Sequence, residues 1–365
     1  MTRTLMIMAG GTGGHVMPGL AVAAEMRARQ WQVVWLGNPG SMESEIVPRH
    51  DIPMQWVRFG GLRGKGLLRK LLLPLNLLRA FGQSIVALRN TRPTVVLGMG
   101  GYVAFPGGMM AVLLNHPLVI HEQNSVAGLT NQVLARIADR VLQAFPGALK
   151  DAEHCGNPVR DDMLLTDDPA QRISGRQGPL RVLVVGGSQG ARVLNETVPP
   201  AISALAPAQR PKVLHQCGRG NLSAVQAAYA DAGVEAEVQE FIDDVAAAYL
   251  DADVVVCRAG AMTVAELAAV GVASILVPFP FAVDDHQTGN ARYLSERGAA
   301  WLAPQPEFTD RWLADTLGEM SRERLAEMAS AARAAALPQA TRSVADACEA
   351  VARPVTPGKT NGGAA

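Results

Sequence analysis

The sequence has no excess of charge of either sign, since Lys plus Arg and Asp plus Glu both number 33 in 365 residues. That argues against a nucleic-acid protein built on bulk electrostatics, while leaving room for a local basic patch. Cysteine is scarce. Cys155, Cys217, Cys257 and Cys348 stand far apart with no CxxC, which fits reduced, inert thiols in a cytosolic protein better than a disulfide frame or a zinc site. The N-terminus lacks a signal peptide, because glycines interrupt the apolar run after Ala9, so a cytoplasmic location is expected. Asp, Glu, Lys and Arg are all absent from Thr94 to Ile120, which is long enough to span a bilayer. Gly98, Gly100, Gly101, Pro106, Gly107, Gly108 and Pro117 punctuate that stretch, and a strand, a glycine loop, a helix and another strand explain it better. Two nucleotide fingerprints are missing as well. No Gly-Lys-Ser/Thr follows "GGTGGHV", so it is not a P-loop, and in a GxGxxG register Gly11 and Gly13 match but Val16 does not. "WLGNPG" lacks the acid that a dinucleotide fold places at the end of its second strand, which disfavours nicotinamide chemistry.

What is present is a large apolar fraction. Hydrophobic residues make up 48% and charged residues 18%, ample for packed cores, and the length points to two domains. Short β-rich runs recur: "RTLMIMA", "QVVWLG", "TVVLG", "PLVIHE", "RVLQAF", then "LRVLVVGG", "KVLHQCG", "EVQEFI", "DVVVCRAG" and "ASILVPF". Helical stretches such as 19–30 and 263–270 lie between them. Continuous apolar strands alternating with helices predict an α/β fold with parallel sheets covered on both faces. "LMIMAGGTGG" is echoed by "VLVVGGSQG", each a strand, a glycine turn and a helix, so two similar doubly wound domains are expected. Their boundary falls near "GNPVRDDMLLTDDPAQRISGRQGP", giving domains of 1–160 and 161–337, and the tail 354–365 is expected to be disordered.

A glycine turn between strand and helix brings backbone close to a ligand and aims unpaired N–H groups at it, with phosphate the usual beneficiary. A tight packing turn is the plainer alternative. His15 follows the first loop, with Pro18 expected in the first helical turn, where its missing N–H costs nothing. At the mouth of that helix His15 is a candidate general base, against the plainer role of a hydrogen-bonded structural histidine. In "CRAGAMTVAEL" a helix is expected to start at Thr263, with Glu266 in its opening turn. There a capping box competes with a functional reading, in which Ala261 to Thr263 give N–H groups to a diphosphate and Glu266 accepts from two ribose hydroxyls.

Asp251-Ala-Asp253 is literally a DxD, a pattern used by metal-dependent sugar transferases. It sits before its strand, at the end away from the expected crevice, and reads as a solvated strand entry, so no metal site is expected. "GLRGKGLLRKLLLPLNLLRA" places Leu67, Leu71, Leu75 and Leu78 at helical spacing beside Arg69, Lys70 and Arg79, with Pro74 expected to kink or divide the helix. An apolar helix edged with cations suits an anionic membrane surface, and equally an ordinary core-facing helix with a solvated rim.

Taken in order, "GGTGGHVMPGLA", "GLRGKG", "GMGGYVAFPGG", "HEQNSVAGLTN", "AFPG", "GNPVR", "GGSQGARVLN", "EFIDDV", "RAGAMTVAEL" and "DDHQTGNA" resemble the MurG family, the bacterial N-acetylglucosaminyltransferases that make lipid II for peptidoglycan. The match spans nearly the whole chain. It implies a GT-B type fold, two Rossmann-like domains with the active site in the cleft, and a C-terminal helix, 338–353, packing back on the first domain. It implies UDP-N-acetylglucosamine as donor and lipid I as acceptor, at the cytoplasmic face of the cell membrane, with no organic cofactor. Carried over by motif, donor contacts fall on Thr12, Gly13, Gly14, Asn124, Arg160, Ser188 and Ile242, on Ala261, Met262, Thr263, Val264, Ala265 and Glu266, and on Gln287. Tyr102, His121 and Asn195 would orient the acceptor. His15 is the candidate base for the muramoyl 4-hydroxyl in an inverting displacement, with Glu122 as the alternative. The leucine-rich helix, Leu67, Arg69, Lys70, Leu71, Leu75, Leu78 and Arg79, would be the membrane dock. Rival readings are a transferase with another lipid acceptor, a UDP-sugar epimerase, a non-catalytic sugar-nucleotide-binding subunit and a Rossmann oxidoreductase. "HEQNSVAGLTN" and "GLRGKG" speak for the lipid I enzyme.

Overall fold

The computed structural model describes residues 3–60, 72–164, 167–187 and 190–353. Leu67, Arg69, Lys70, Leu71, Ser188 and the tail 354–365 lie outside them. The chain divides into two compact units, one holding residues up to Gln123, Ala127–Pro158 and the stretch from Gln339 on, the other Asn124–Val126 and Val159–Pro338.

The first unit is built on a parallel sheet of β1 (Thr4–Ala9), β2 (Gln32–Gly37), β3 (Met54–Trp56), β4 (Val95–Gly100), β5 (Leu118–Glu122), β6 (Arg140–Gln143) and β7 (Glu153–His154), in the order β3-β2-β1-β4-β5-β6-β7. Side chains alternate across a strand, and both faces of β1 are buried. Leu5, Ile7 and Ala9 pack against α1 (Gly13–Ala28), and Met6 and Met8 join a second core on the other face. Further helices are α2 (Met42–Ile46), α3 (Leu73–Thr91), α4 (Ala104–Leu113) and α5 (Leu129–Leu134). The last helix, Ala340–Val351, buries Val344, Ala345 and Cys348 in the α1 core. Arg29 ties it down through Asp346 at 2.5 Å and Glu349 at 2.8 Å, and Trp31 Nε1 donates to Glu349 at 2.9 Å.

The second unit repeats the plan with β8 (Arg181–Val185), β9 (Lys212–Gln216), β10 (Glu237–Gln239), β11 (Val254–Cys257), β12 (Ala273–Leu276) and β13 (Ala300–Leu302), in the order β10-β9-β8-β11-β12-β13, all parallel. Its helices include α6 (Arg192–Ala204), α7 (Val245–Asp251), α8 (Ala261–Val270) and α9 (His286–Ser295). In each unit the order reverses at the pair whose loops carry the glycines, β1/β4 and β8/β11, which is where open α/β sheets bind ligands.

Three local expectations are corrected. Helix α1 begins at Gly13, earlier than 19, because Thr12 stays extended (φ −140°, ψ 157°) and the glycines enter the helix, so Pro18 lies in its second turn, not its first. The bond Pro18 forgoes is the one to the Gly14 carbonyl. Pro74 sits in the first turn of α3, where its lost N–H has no partner to miss; the first half of the helix it was expected to kink or divide lies outside the described residues. Helix α8 starts at Ala261 with Gly260 as N-cap, so Glu266 occupies the second turn, and the N-cap residue supplies no capping side chain. Asp253 is no solvated entry: it is 0% exposed. Its carboxylate takes Arg176 at 2.6 Å, Arg322 at 3.3 Å and the Arg181 N–H at 2.9 Å. Charge-free residues 94–120 fold as β4, α4 and β5, and among the described residues no helix is long and apolar enough to cross a membrane.

Candidate functional site

In the first unit the chain leaves β1 into Gly10–Thr12. Behind this loop stands a residue that sequence reasoning missed. Glu43, from α2, is 0% exposed and accepts the Gly11 N–H through Oε2 and the Asn38 N–H through Oε1, each at 3.0 Å. The fit is tight: a Cβ on Gly10 would lie 2.5 Å from Glu43 Oε1. One of two acids in "SMESEIV", 32 positions from its partner, leaves no sequence signal. In front, Thr12 is exposed and Gly13 and Gly14 are half-buried, and the Thr12 hydroxyl does not cap the helix. The β4 loop closes on this one through Gly100 (φ +95°) and Gly101 (φ +83°), both in the left-handed region. A Cβ on Gly101 would sit 2.2 Å from the Gly10 carbonyl oxygen, and one on Gly100 would sit 2.9 Å from His15 Nδ1. Any side chain there would push the two loops apart.

His15, in the first turn of α1, is half-buried, and its Nδ1 lies 2.9 Å from Gln123 Oε1. Gln123 Nε2 in turn lies 3.0 Å from His121 Nδ1 and donates to the His121 carbonyl at 3.0 Å. His121 Nε2 meets the Gly156 carbonyl at 2.9 Å. His121 is therefore a wholly buried interior group, and burial pushes its pKa down to about 4 despite the Gly156 contact. It touches His15 only through Gln123, which corrects its expected place beside an acceptor. Glu122 is also interior, 2% exposed, with Oε2 accepting from Gly128 N–H at 3.1 Å and from Asn131 Nδ2 at 2.9 Å. Between the two candidate bases, His15 has the open position. Tyr102 is exposed on the β4 loop. On α3, Leu75 and Leu78 are exposed at 65% and 66%, with Arg79 exposed beside them.

In the second unit Gly260 brings no side chain to the start of α8, and the first turn, Ala261 to Val264, follows β11 directly. Met262, Thr263, Ala265 and Glu266 are half-buried, Ala261 and Val264 buried. Burial lifts the Glu266 pKa to about 7, while Arg160 and the Tyr249 hydroxyl, 3.5 Å away, pull the other way. Arg160 also pairs with Asp162 at 3.1 Å. Ile242 is half-buried after β10, and Gln287, in the first turn of α9, accepts the Phe279 N–H at 2.9 Å, which directs its amide nitrogen elsewhere. Asn124–Val126 belong to this unit: Ser125 N–H donates to Asn290 Oδ1 at 2.9 Å, its hydroxyl to the His286 carbonyl at 3.0 Å, and Asn290 Nδ2 reaches Asn124 Oδ1 at 3.4 Å. Asn195 is a correction. It is a core residue of α6, donating to the Cys217 carbonyl at 3.1 Å and paired with His215 Nε2 at 3.0 Å, so both ends of its amide are spent on the fold. Among the described residues no group of three or more His, Cys, Asp or Glu is placed to hold a metal ion.

These loops can be set beside known proteins. Residues 5–143 match the glycosyltransferase family 28 N-terminal domain and residues 181–348 the C-terminal domain of the same family. A protein of Aromatoleum aromaticum is 61% identical over 350 residues, covering 96% of this chain and 98% of its own length. One of Ralstonia nicotianae is 60% identical over 356 residues, covering 97% and 98%. Both are named UDP-N-acetylglucosamine–N-acetylmuramyl-(pentapeptide) pyrophosphoryl-undecaprenol N-acetylglucosamine transferase. The crystal structure of Acinetobacter baumannii MurG is similar with a TM-score of 0.85 at 42% identity, covering 95% of this chain and 99% of that one. The glycotransferase of kitacinnamycin, at 18% identity and a TM-score of 0.68, shares the fold.

Proposed function

The chain belongs to glycosyltransferase family 28, with two α/β domains of the GT-B type, and on that premise we propose how it works. It is a glycosyltransferase, moving N-acetylglucosamine from UDP-N-acetylglucosamine to the lipid-linked N-acetylmuramyl-pentapeptide. The observation that carries this reading is identity of about 60% along nearly the full chain to transferases named for that reaction. The relatives' names favour neither another lipid acceptor nor an epimerase.

In the reaction, His15 Nε2 takes the proton from the muramoyl 4-hydroxyl as that oxygen attacks the anomeric carbon, and UDP departs from the opposite face, inverting α to β. The departing diphosphate is stabilised by the N-terminal turn of α8, where helix N–H groups and dipole favour an anion. Glu266 accepts the two ribose hydroxyls, and Arg160 beside it steadies the ionised carboxylate. Thr12, Gly13 and Gly14 bring close backbone to the sugar side, while Asn124, Ser188, Ile242 and Gln287 complete the donor contacts and Tyr102 meets the acceptor. No metal or organic cofactor takes part. Because the acceptor is lipid-linked, the exposed leucines Leu75 and Leu78 with Arg79 rest on the anionic cytoplasmic face of the membrane. No nucleic acid is involved. The product is lipid II, through which the chain serves wall growth, cell shape and division.

One assay tests this reading: transfer of label from UDP-N-acetylglucosamine to a short-chain lipid I analogue, with and without EDTA. Label in the lipid, insensitive to EDTA, is expected; no transfer while the donor still binds would refute the acceptor, and loss with EDTA would refute the metal-free step. His15→Ala should lower turnover about a hundredfold or more, and normal turnover would remove His15 as base. With full-length acceptor in anionic vesicles, Leu75→Ser with Leu78→Ser should lose activity that the short-chain assay retains; equal activity in both would refute the membrane dock.

A further inference from the structure

The reading of His15 as base leaves open which ring nitrogen is bare, and in water neutral histidine favours the Nε2–H form, the wrong one for a base acting through Nε2. We propose that Gln123 is a positioning residue that fixes His15 in the Nδ1–H tautomer, keeping Nε2 unprotonated and ready to accept. The proposal rests on the reading of His15 given above.

Two main-chain carbonyls, which can only accept, set the direction of the whole hydrogen-bond chain. At one end the Gly156 carbonyl lies 2.9 Å from His121 Nε2, so that nitrogen carries the hydrogen. His121 is wholly buried and stays neutral, its pKa held near 4, so its Nδ1 is bare and accepts. Gln123 Nε2 donates to it at 3.0 Å and to the His121 carbonyl, the second fixed acceptor, also at 3.0 Å. Both contacts require the nitrogen end of the amide there, which turns the amide oxygen toward His15 Nδ1 at 2.9 Å. An amide oxygen cannot donate. His15 Nδ1 therefore carries the hydrogen, and Nε2 presents its lone pair.

Gly100 completes the device. Its backbone passes so close that a Cβ would meet His15 Nδ1 and Cε1 at 2.9 Å and Gln123 Oε1 at 3.6 Å, so the main chain covers the bond from one side. A covered, fully directed bond holds the ring in one orientation as well as one tautomer. His121 thus acts at a distance, fixing the amide that fixes the base.

Long-range proton–nitrogen correlation spectra of the full chain, labelled with 15N-histidine at a pH where the rings are neutral, read tautomers directly. The sequence holds 7 histidines, and the His15 signals are identified by their loss in His15→Gln. The expected result is an Nδ1–H pattern for His15 and an Nε2–H pattern for His121. In Gln123→Met, which keeps the length but cannot accept, His15 should move to the Nε2–H form. kcat should then fall about tenfold or more with KM for the donor unchanged, as expected when the group lost acts on the base and not on donor binding. An Nε2–H pattern for His15 in the unaltered chain, or an unmoved pattern in Gln123→Met, overturns the proposal. The unaltered chain alone decides the point should Gln123→Met fail to fold. Normal turnover of His15→Ala beside an Nδ1–H pattern would instead refute the base reading and leave the tautomer assignment standing.

Discussion

Replacing Glu43 by glutamine changes one oxygen into an NH₂ group and little else in shape. The two oxygens of Glu43 each accept one backbone N–H, from Gly11 and from Asn38, at 3.0 Å. Whichever way the amide is set, one of those N–H groups must face an NH₂ that cannot accept. Rearrangement offers no escape, because Gly10 packs against the carboxyl with no room for even a methyl group. The loss is one charge-assisted hydrogen bond plus a part-buried donor turned against an NH₂ group, roughly 2–4 kcal/mol in all. Converted at about 1.4 kcal/mol per factor of ten, amide exchange at Gly11 and Asn38 should speed up roughly 30- to 700-fold. Hydrogen exchange read by mass spectrometry on peptides covering 5–19 and 32–46 is the assay, with peptides of the second unit as internal control. Turnover should drop in parallel, since the loop that carries Thr12 and leads into His15 loses its rear support. Unchanged exchange at both amides, with unchanged turnover, would show that Glu43 does not hold the loop.

Two further outcomes can be checked. Glu266, with its pKa lifted to about 7, binds ribose hydroxyls best when ionised, so KM for the donor should rise as pH falls through about 7, and Glu266→Gln should flatten that rise while raising KM roughly tenfold at higher pH; a pH-independent KM in the unaltered chain would refute the role. Asp253→Asn leaves Arg176 and Arg322 without their buried counter-charge and should cost about 3–5 kcal/mol, read as a lower thermal midpoint of the second unit, and a loss under about 1 kcal/mol would contradict the burial argument.

Much of this was legible in the residues. Strands of a parallel sheet are buried on both faces, so runs such as "LMIMA" and "VLVV" are apolar throughout and stand out without alternation. The glycine turns announced themselves for the opposite reason, since close backbone approach leaves few alternatives to glycine. Helix starts were harder. Gly13, Gly14 and Gly260 are poor helix formers by propensity, yet the first two open α1 and the third is the N-cap of α8, so both helices begin earlier than composition suggests. Buried polar groups were the least legible. Asp253 looks solvent-facing because its partners, Arg176 and Arg322, lie 77 and 69 positions away in sequence. His121 and Asn195 read as site residues by motif, and their actual partners are backbone carbonyls and other interior side chains. Their role is to hold neighbours in place, which pattern alone cannot separate from touching a substrate.

The return of the last helix to the first unit has a consequence for how the protein comes into being. The second unit, apart from Asn124–Val126, is one continuous run, Val159–Pro338, and its sheet is complete before the final segment is translated. The first unit begins earlier in the chain but lacks Val344, Ala345 and Cys348, which fill its α1 core, until that last helix has been made. The half made first is therefore the half finished last. A nascent chain or a truncation ending at Pro338 would carry an open apolar groove on α1, with Arg29 and Trp31 missing Asp346 and Glu349, at the base of the helix whose other end presents His15.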